Sequence, residues 1–257
     1  MEHQDEYHDS MVRMLELIWG AGYMAPGGPG SVAKMLDGIE TAGRRILDIG
    51  SGIGGPAIEM ASRQGASVVG IDLEAPLVER ANRDAAAAGL GDACQFRLVE
   101  PGLLPFDDAE FDIVTSAGAL TQTGDKAALL AEILRVLRPG GWLSLYDWMK
   151  IDGEYSAEMR YWFETEGLTY AMLTLEQQAA LMRDSGFENV ATIDATDWYR
   201  REAQREYARL RGELKPTLLE LLGEDDCAHF IENWRAMVVV IDRGEMRQAY
   251  SRGRKPG

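Results

Sequence analysis

Cysteine and histidine are scarce, with two and three residues among 257. Cys94 and Cys227 stand far apart, which excludes a disulfide scaffold and a cysteine-rich zinc site and suits a reducing cytoplasm. No metal is expected. Basic residues are also in short supply: 26 Lys and Arg face 42 Asp and Glu, for a formal net charge of −16. A protein that tracks phosphates runs to the opposite balance, so nucleic acid is not an expected partner. No apolar run is long enough to span a bilayer, and the N-terminus Met-Glu-His-Gln-Asp-Glu has neither a basic nor an apolar signal region. The expectation is a cytoplasmic protein without a membrane partner, monomeric or homodimeric. Repeats and low-complexity tracts are absent too. Hydrophobic residues at 46% and charged residues at 26% are ordinary values for a packed domain.

What is present alternates. Apolar positions Val12, Leu15, Ile18 and Trp19 predict a helix over 9–19, and the Gly/Pro-rich run 20–30 predicts a loop. Ser31 is a candidate cap for a helix through Gly38. Strands are then expected at 45–49, 66–71, 95–99, 111–116 and 142–146, with helices at 56–64, 76–88 and 126–137 between them and a turn at 139–141. This is the pattern of a doubly wound, mostly parallel sheet, which binds ligands at the carboxyl edge of its strands. Further on, helices are expected at 157–166 and 175–185, a strand at 189–195, a charged helical segment over 200–222 interrupted by Pro216, a helix at 228–242 and a last strand at 246–252. Residues 252–255 read as a solvated basic end. The whole reads as one α/β domain over 1–257, with N-terminal helices to 42, a core over 43–150 and helical additions after it.

The first strand runs into Asp48-Ile-Gly-Ser-Gly-Ile-Gly-Gly55. Gly50 and Gly52 carry no Cβ, so the chain turns tightly and a ligand can approach the backbone, with a helix N-terminus behind it. Asp72 ends the second strand roughly twenty residues on, the place of an acid that binds ribose hydroxyls. Glu100, at the end of the third strand, suits an adenine amino group. An adenosine-containing ligand is indicated.

The strings Ile46-Leu-Asp-Ile-Gly-Ser-Gly-Ile-Gly-Gly55, Gly70-Ile-Asp-Leu73, Leu104-Pro-Phe-Asp-Asp-Ala-Glu-Phe-Asp-Ile113 and Leu134-Arg-Val-Leu-Arg-Pro-Gly-Gly141 resemble the class I S-adenosylmethionine-dependent methyltransferases. The resemblance implies a Rossmann-like seven-stranded sheet, S-adenosylmethionine as cofactor and S-adenosylhomocysteine as product. By position it implies that Asp48, Gly50, Ser51 and Gly52 line the methionine end. Asp72 would take the ribose, Leu73 would pack on adenine, Glu100 and Pro101 would border it, and Ser116 would sit near the sulfonium.

Tyr7-His-Asp-Ser and Ile18-Trp-Gly-Ala-Gly-Tyr-Met-Ala-Pro-Gly-Gly28, with weaker matches at Phe187-Glu-Asn-Val190 and Asp197-Trp-Tyr199, resemble the phosphoethanolamine methyltransferases. That likeness implies a mobile lid over 1–30, with Tyr7 orienting the nucleophile and Tyr23 closing over the cofactor. The departures are specific. Gln122 stands where that group has a histidine, and glutamine is no base near neutral pH, though it hydrogen-bonds. Gly118 replaces an acid and Leu168 an arginine. Of the phosphate-binding tyrosines, one remains as Tyr170 and another is replaced by Trp148. Without a cationic partner a buried phosphate is costly, so a phosphorylated acceptor is not expected.

Candidate acceptor residues are Trp148, Tyr170 and Trp198, within an aromatic set that includes Tyr155, Tyr161, Trp162 and Tyr199. Such rings suit either a cationic amine or plain core packing. Arg200, Arg201 and Arg205 suit either a solvated helix face or a carboxylate on the acceptor. His3, His8 and His229 read as surface residues before they read as bases. The expected activity is N-methylation of a small amine or amino-acid-like molecule. Oxygen, sulfur or carbon acceptors remain open, as does a protein that binds the cofactor without turnover.

Overall fold

Ile46, Leu47 and Ile49 leave Asp48 as the one polar side chain inside the first strand, so that strand must be covered on both faces. The computed structural model describes residues 9–168 and 170–257. Its strands β1 (Arg45–Ile49), β2 (Ser67–Asp72), β3 (Cys94–Leu98), β4 (Phe111–Ala117), β5 (Leu137–Lys150), β6 (Glu188–Asp194) and β7 (Met246–Arg254) form one sheet. Their order is β3-β2-β1-β4-β5-β7-β6, parallel except for β7, which runs antiparallel to both neighbours. The chain winds outward from β1 to β3, then restarts at β4 on the other side of β1. The carboxyl ends of β1 and β4 therefore flank the point where the order reverses, and a crevice opens there.

Helices α1 (Asp9–Trp19), α2 (Gly28–Met35), α3 (Gly55–Gln64), α4 (Ala75–Ala87), α5 (Lys126–Val136), α6 (Ala157–Glu166), α7 (Leu175–Asp184), α8 (Thr196–Arg211), α9 (Lys215–Leu222) and α10 (Glu224–Asp242) complete the described chain. One sheet face packs on α2, α3 and α4 through Val32, Ala57, Met60 and Val78. The other packs on α5 and α7 through Leu130, Ile133 and Met182. Each fully buried aliphatic side chain in these layers contributes about 1.5–3 kcal/mol. A third core joins α1, α6, α8, α9 and α10 in a helical cap built on Trp162, Tyr199, Leu210 and Trp234.

Several boundaries differ from the expectation. Ser31 does not cap a helix: α2 begins at Gly28 after Gly27 (φ 91°), and the Ser31 hydroxyl donates back to the Gly28 carbonyl at 2.8 Å. The 139–141 turn lies within β5, where pairing with β4 jumps from Leu137 to Trp142, so those residues bulge out of the ladder. The break in the long charged segment falls at Gly212, and Pro216 opens α9 instead of interrupting a helix. The basic end is not a free tail, although Arg254 stays exposed. β7 carries it between β5 and β6, and the Lys255 ammonium donates to the Leu137 carbonyl at 2.7 Å. Among the described residues no helix is long and apolar enough to cross a membrane.

Candidate active site

Leaving β1, the chain turns at Gly50 (φ 69°) and Gly52 (φ 53°). A Cβ on Gly50 would lie 2.2 Å from the Ala119 methyl, so glycine is required both for the backbone angle and for the approach of the loop after β4. The Gly50 and Ser51 amides both donate to the Ile71 carbonyl, binding the loop to β2. The Ser51 hydroxyl is buried and has no partner among the described residues. An orphaned hydroxyl in a turn that exposes its backbone marks the place of a polar ligand.

Asp72 ends β2 and addresses the same crevice. One carboxylate oxygen accepts from the Gly52 amide at 2.8 Å, the other from the Glu74 amide at 3.1 Å. Burial raises its pKa, against the pull of those amides. Asp48 is buried beneath the loop, where it accepts from the Thr115 hydroxyl at 2.8 Å. Burial lifts its pKa to about 7, and the Asp72 charge adds to the shift. Leu73, one residue beyond Asp72, is 50% exposed. Glu100 and Pro101 are exposed and lie past the end of β3, which stops at Leu98; the Val99 amide still pairs with the Asp72 carbonyl, so the chain passes beside Leu73. A carboxylate with spare lone pairs, an uncovered leucine and an unpartnered hydroxyl fit the ribose, base and amino-acid parts of S-adenosylmethionine.

The cover of this loop differs from the expectation. Tyr23 does not close over the crevice. Its ring is buried among Val32, Leu36 and Met60, and burial pushes its hydroxyl to about 12. Met24 takes that place, with its sulfur 3.1 Å from where a Gly52 Cβ would stand. Val12, Ile53, Leu77 and Met24 together close the outer wall. Gly22 abuts Gly55, whose amide donates to the Gly22 carbonyl at 3.0 Å.

Beyond β4 the site residues also shift. The Ser116 hydroxyl, fully buried, donates to the Ile49 carbonyl at 2.8 Å and ties β4 to β1 instead of facing a ligand. Gln122 is exposed on the outside of its loop, while Thr121 turns inward onto Asp147. Tyr7, His3 and His8 lie outside the described residues.

On the cap side, Trp148 and Tyr170 are half-buried. Trp148 meets Trp162, Tyr170 and Tyr199 at 5.5, 5.7 and 6.4 Å between ring centres, and Trp162 stacks on Tyr170 at 5.2 Å. Half-buried Glu166 accepts from the Trp162 indole at 3.1 Å, and desolvation raises its pKa. Trp198 stacks on Tyr199 at 6.0 Å from the outer side of this cluster and covers Gly27 at the start of α2. Arg200 is occupied by Asp197 and the Ile241 carbonyl, and Arg205 by Glu202. Arg201 is exposed. Leu168 supplies no charge to the Trp148–Tyr170 rings. Among the described residues no cluster of His, Cys, Asp and Glu could hold a metal ion.

Sequence reasoning passed over Met24, Thr121 and Asp147. Asp147 had a signal. It directly follows the expected strand 142–146, as another strand-end acid after Asp48, Asp72 and Glu100, and alternation sets it opposite Tyr146 and Trp148.

Residues 47–145 match the family described as a methyltransferase domain. The chain is 28% identical over 243 residues to the phosphoethanolamine N-methyltransferase of Triticum aestivum, covering 94% of this chain and 47% of that protein. It is 33% identical over 173 residues to the 27-O-demethylrifamycin SV methyltransferase of Amycolatopsis mediterranei, covering 66% of this chain and 64% of that one. The solved structure of Haemonchus contortus phosphoethanolamine N-methyltransferase 2, in complex with phosphomonomethylethanolamine and S-adenosylhomocysteine, superposes with a TM-score of 0.90 at 24% identity. It covers 98% of this chain and 58% of that one. The chain spans about half the length of the plant relatives it matches.

Proposed function

The chain carries a class I S-adenosylmethionine-dependent methyltransferase domain, and from that premise we propose that it methylates a small molecule, with the nitrogen of an amine or amino-acid-like compound as its acceptor. The observation that carries the reading is the convergence of Ser51, Asp72 and Leu73 on one crevice at the switch point of the sheet. Asp72 would hold the ribose, Leu73 the base, and Gly50, Ser51 and Gly52 the methionine end. Bound there, the cofactor supplies a methyl group activated by a sulfonium. The chain's own contribution is alignment and exclusion of water. Holding two reactants in line is worth about 7–11 kcal/mol without any dedicated base. Met24 over Gly52 and Ala119 against Gly50 wall the loop on two sides.

Two features support a cationic acceptor. Trp148 and Tyr170 pack together with half-buried Glu166 beside Tyr170, and each ring face attracts an ammonium by about 0.5–2 kcal/mol. The protein also carries a large negative net charge. A second reading, O-methylation of a larger apolar molecule, is supported by the 33% identity to the rifamycin enzyme.

The test is incubation with isotope-labelled S-adenosylmethionine and a panel of amines, amino acids, thiols and phenols, read by mass spectrometry. A labelled N-methyl product is expected. Phosphoethanolamine should turn over far more slowly than the best amine, because Leu168 and Trp148 offer its phosphate no positive charge. Label only on phenols would favour the second reading, and cofactor binding without any labelled product would leave a binding protein.

A further inference from the structure

The loop after β4 touches both halves of the site. At its start Gly118 donates its amide to the Tyr146 carbonyl at 2.8 Å. Ala119 packs against Gly50 of the glycine loop. Thr121 then faces β5, where its amide and its hydroxyl both donate to one oxygen of Asp147, at 3.2 and 2.8 Å. The Thr121 carbonyl points the other way and accepts from the Ala171 amide at 2.8 Å, in the segment that follows Tyr170. Lys126 supports the same loop from α5, donating to the Leu120 and Thr123 carbonyls at 2.5 and 2.6 Å.

We infer that Asp147 is a positioning residue for the proposed methyl transfer: through Thr121 it fixes the 118–123 loop as the joint by which ligand binding at the glycine loop reaches the acceptor-side segment at Ala171. The inference rests on the reading given under the proposed function. Asp147 is 3% exposed, and its second oxygen has no partner among the described residues. Burying a carboxylate in that way is costly, and an apolar side chain would fill the same space without the cost. What the carboxylate adds is direction. It holds two donors of a single residue, so Thr121 cannot rotate without losing both. With Thr121 fixed, Ala119 and the Thr121 carbonyl are held at a set separation, and movement of Gly50 is passed to Ala171. Two bonds to a charged acceptor suffice to keep such a short loop in one arrangement.

The experiment uses S-adenosylhomocysteine as the probe, with calorimetry for affinity and hydrogen exchange for the two segments. In the wild-type chain the ligand should slow exchange at 50–54 and also at 170–173. In Thr121→Val, close in shape but without the hydroxyl, and in Asp147→Ala, affinity should stay within about threefold of wild type. Protection at 50–54 should remain, and protection at 170–173 should be lost. Thr121→Ser and Asp147→Asn, which keep a donor and an acceptor in place, should restore it. Unchanged protection at 170–173 in Thr121→Val, or none there in the wild type, would overturn the inference while leaving the cofactor reading intact. Failure of the wild type to bind the ligand, with no protection at 50–54, would instead overturn the cofactor reading and the inference with it.

Discussion

The Asp72 carboxylate accepts one amide from the glycine loop and one from the approach to α4, and keeps spare lone pairs on both oxygens. On the proposed reading, removing it takes away two ribose contacts; it also removes the Gly52 amide's acceptor. Each hydrogen bond to a charged acceptor contributes about 1.5–3 kcal/mol, so Asp72→Ala should weaken S-adenosylhomocysteine binding at least about tenfold. Calorimetry on a variant with a preserved melting transition decides it, and an unchanged affinity would remove Asp72 from the site. Asp72 and the glycines were legible in the sequence because strand, tight turn and strand-end acid each leave a local mark. Tyr23 and Met24 were not. Nothing in the four residues between Gly22 and Gly27 says which neighbour turns inward, and the structure buries the tyrosine and lays the methionine over Gly52. The same one-residue ambiguity separates Gln122 from Thr121: a strand or helix has a period that assigns faces, and a loop has none.

At the scale of elements, α1 is held from three sides. The Arg209 guanidinium of α8 donates to the Leu17 and Ile18 carbonyls at 3.1 Å each, closing the helix's unpaired C-terminal end. The Trp19 indole donates to Glu206 at 2.8 Å, and Glu16 pairs with Arg80 of α4 while accepting the Gly22 amide. A helix of eleven residues has little stability alone, so these ties and its apolar face keep it folded. Residues 9–30 are thus tied to the core, and opening a lid there would require breaking all three attachments. Arg209→Ala should raise exchange over residues 9–24 about tenfold and weaken S-adenosylhomocysteine binding, since the ligand must then restore the order of that wall. Exchange equal to wild type would show that apolar packing alone holds α1. The parallel core was readable from alternating strand and helix signals. α8 was harder. Its composition is polar, yet Thr196, Tyr199, Ala203, Glu206 and Leu210 recur at alternating steps of three and four and form its buried stripe, so a glutamate ends up in the core. The fate of residues 252–255 was equally hidden, because a basic end carries no mark of the strand pairing that places it between β5 and β6.

The molecule as a whole combines a net charge of −16 with buried carboxyls whose desolvation outweighs any nearby cation. Burial raises Asp48, Asp147 and Glu206 each to about 7. Their unfolded values lie near the ordinary 3.8 and 4.5, so the folded chain binds more protons than the unfolded one between roughly pH 4 and 7. The stability these three groups supply is complete below the lower limit and is lost as pH rises through their folded values. Each contributes a slope of up to about 1.4 kcal/mol per pH unit inside that window. Self-repulsion of the acidic surface acts in the same direction as more carboxyls ionise. An opposing set limits the gain in acid. Glu132 and Glu232, hydrogen-bonded by Arg135 and Arg235, are held below the usual carboxylate range, and their contribution is lost as pH falls through their folded values. The ligand-free protein should therefore be most stable in mildly acidic buffer, with a melting temperature that falls steadily from pH 5.5 to 7.5 and flattens above 8. Glu206→Gln removes one of the three titrations, so its curve should be shallower across that window even where its absolute stability is lower. A melting temperature that is constant or rises from pH 5.5 to 7.5 would mean that these carboxyls find cationic or solvent partners in the folded chain.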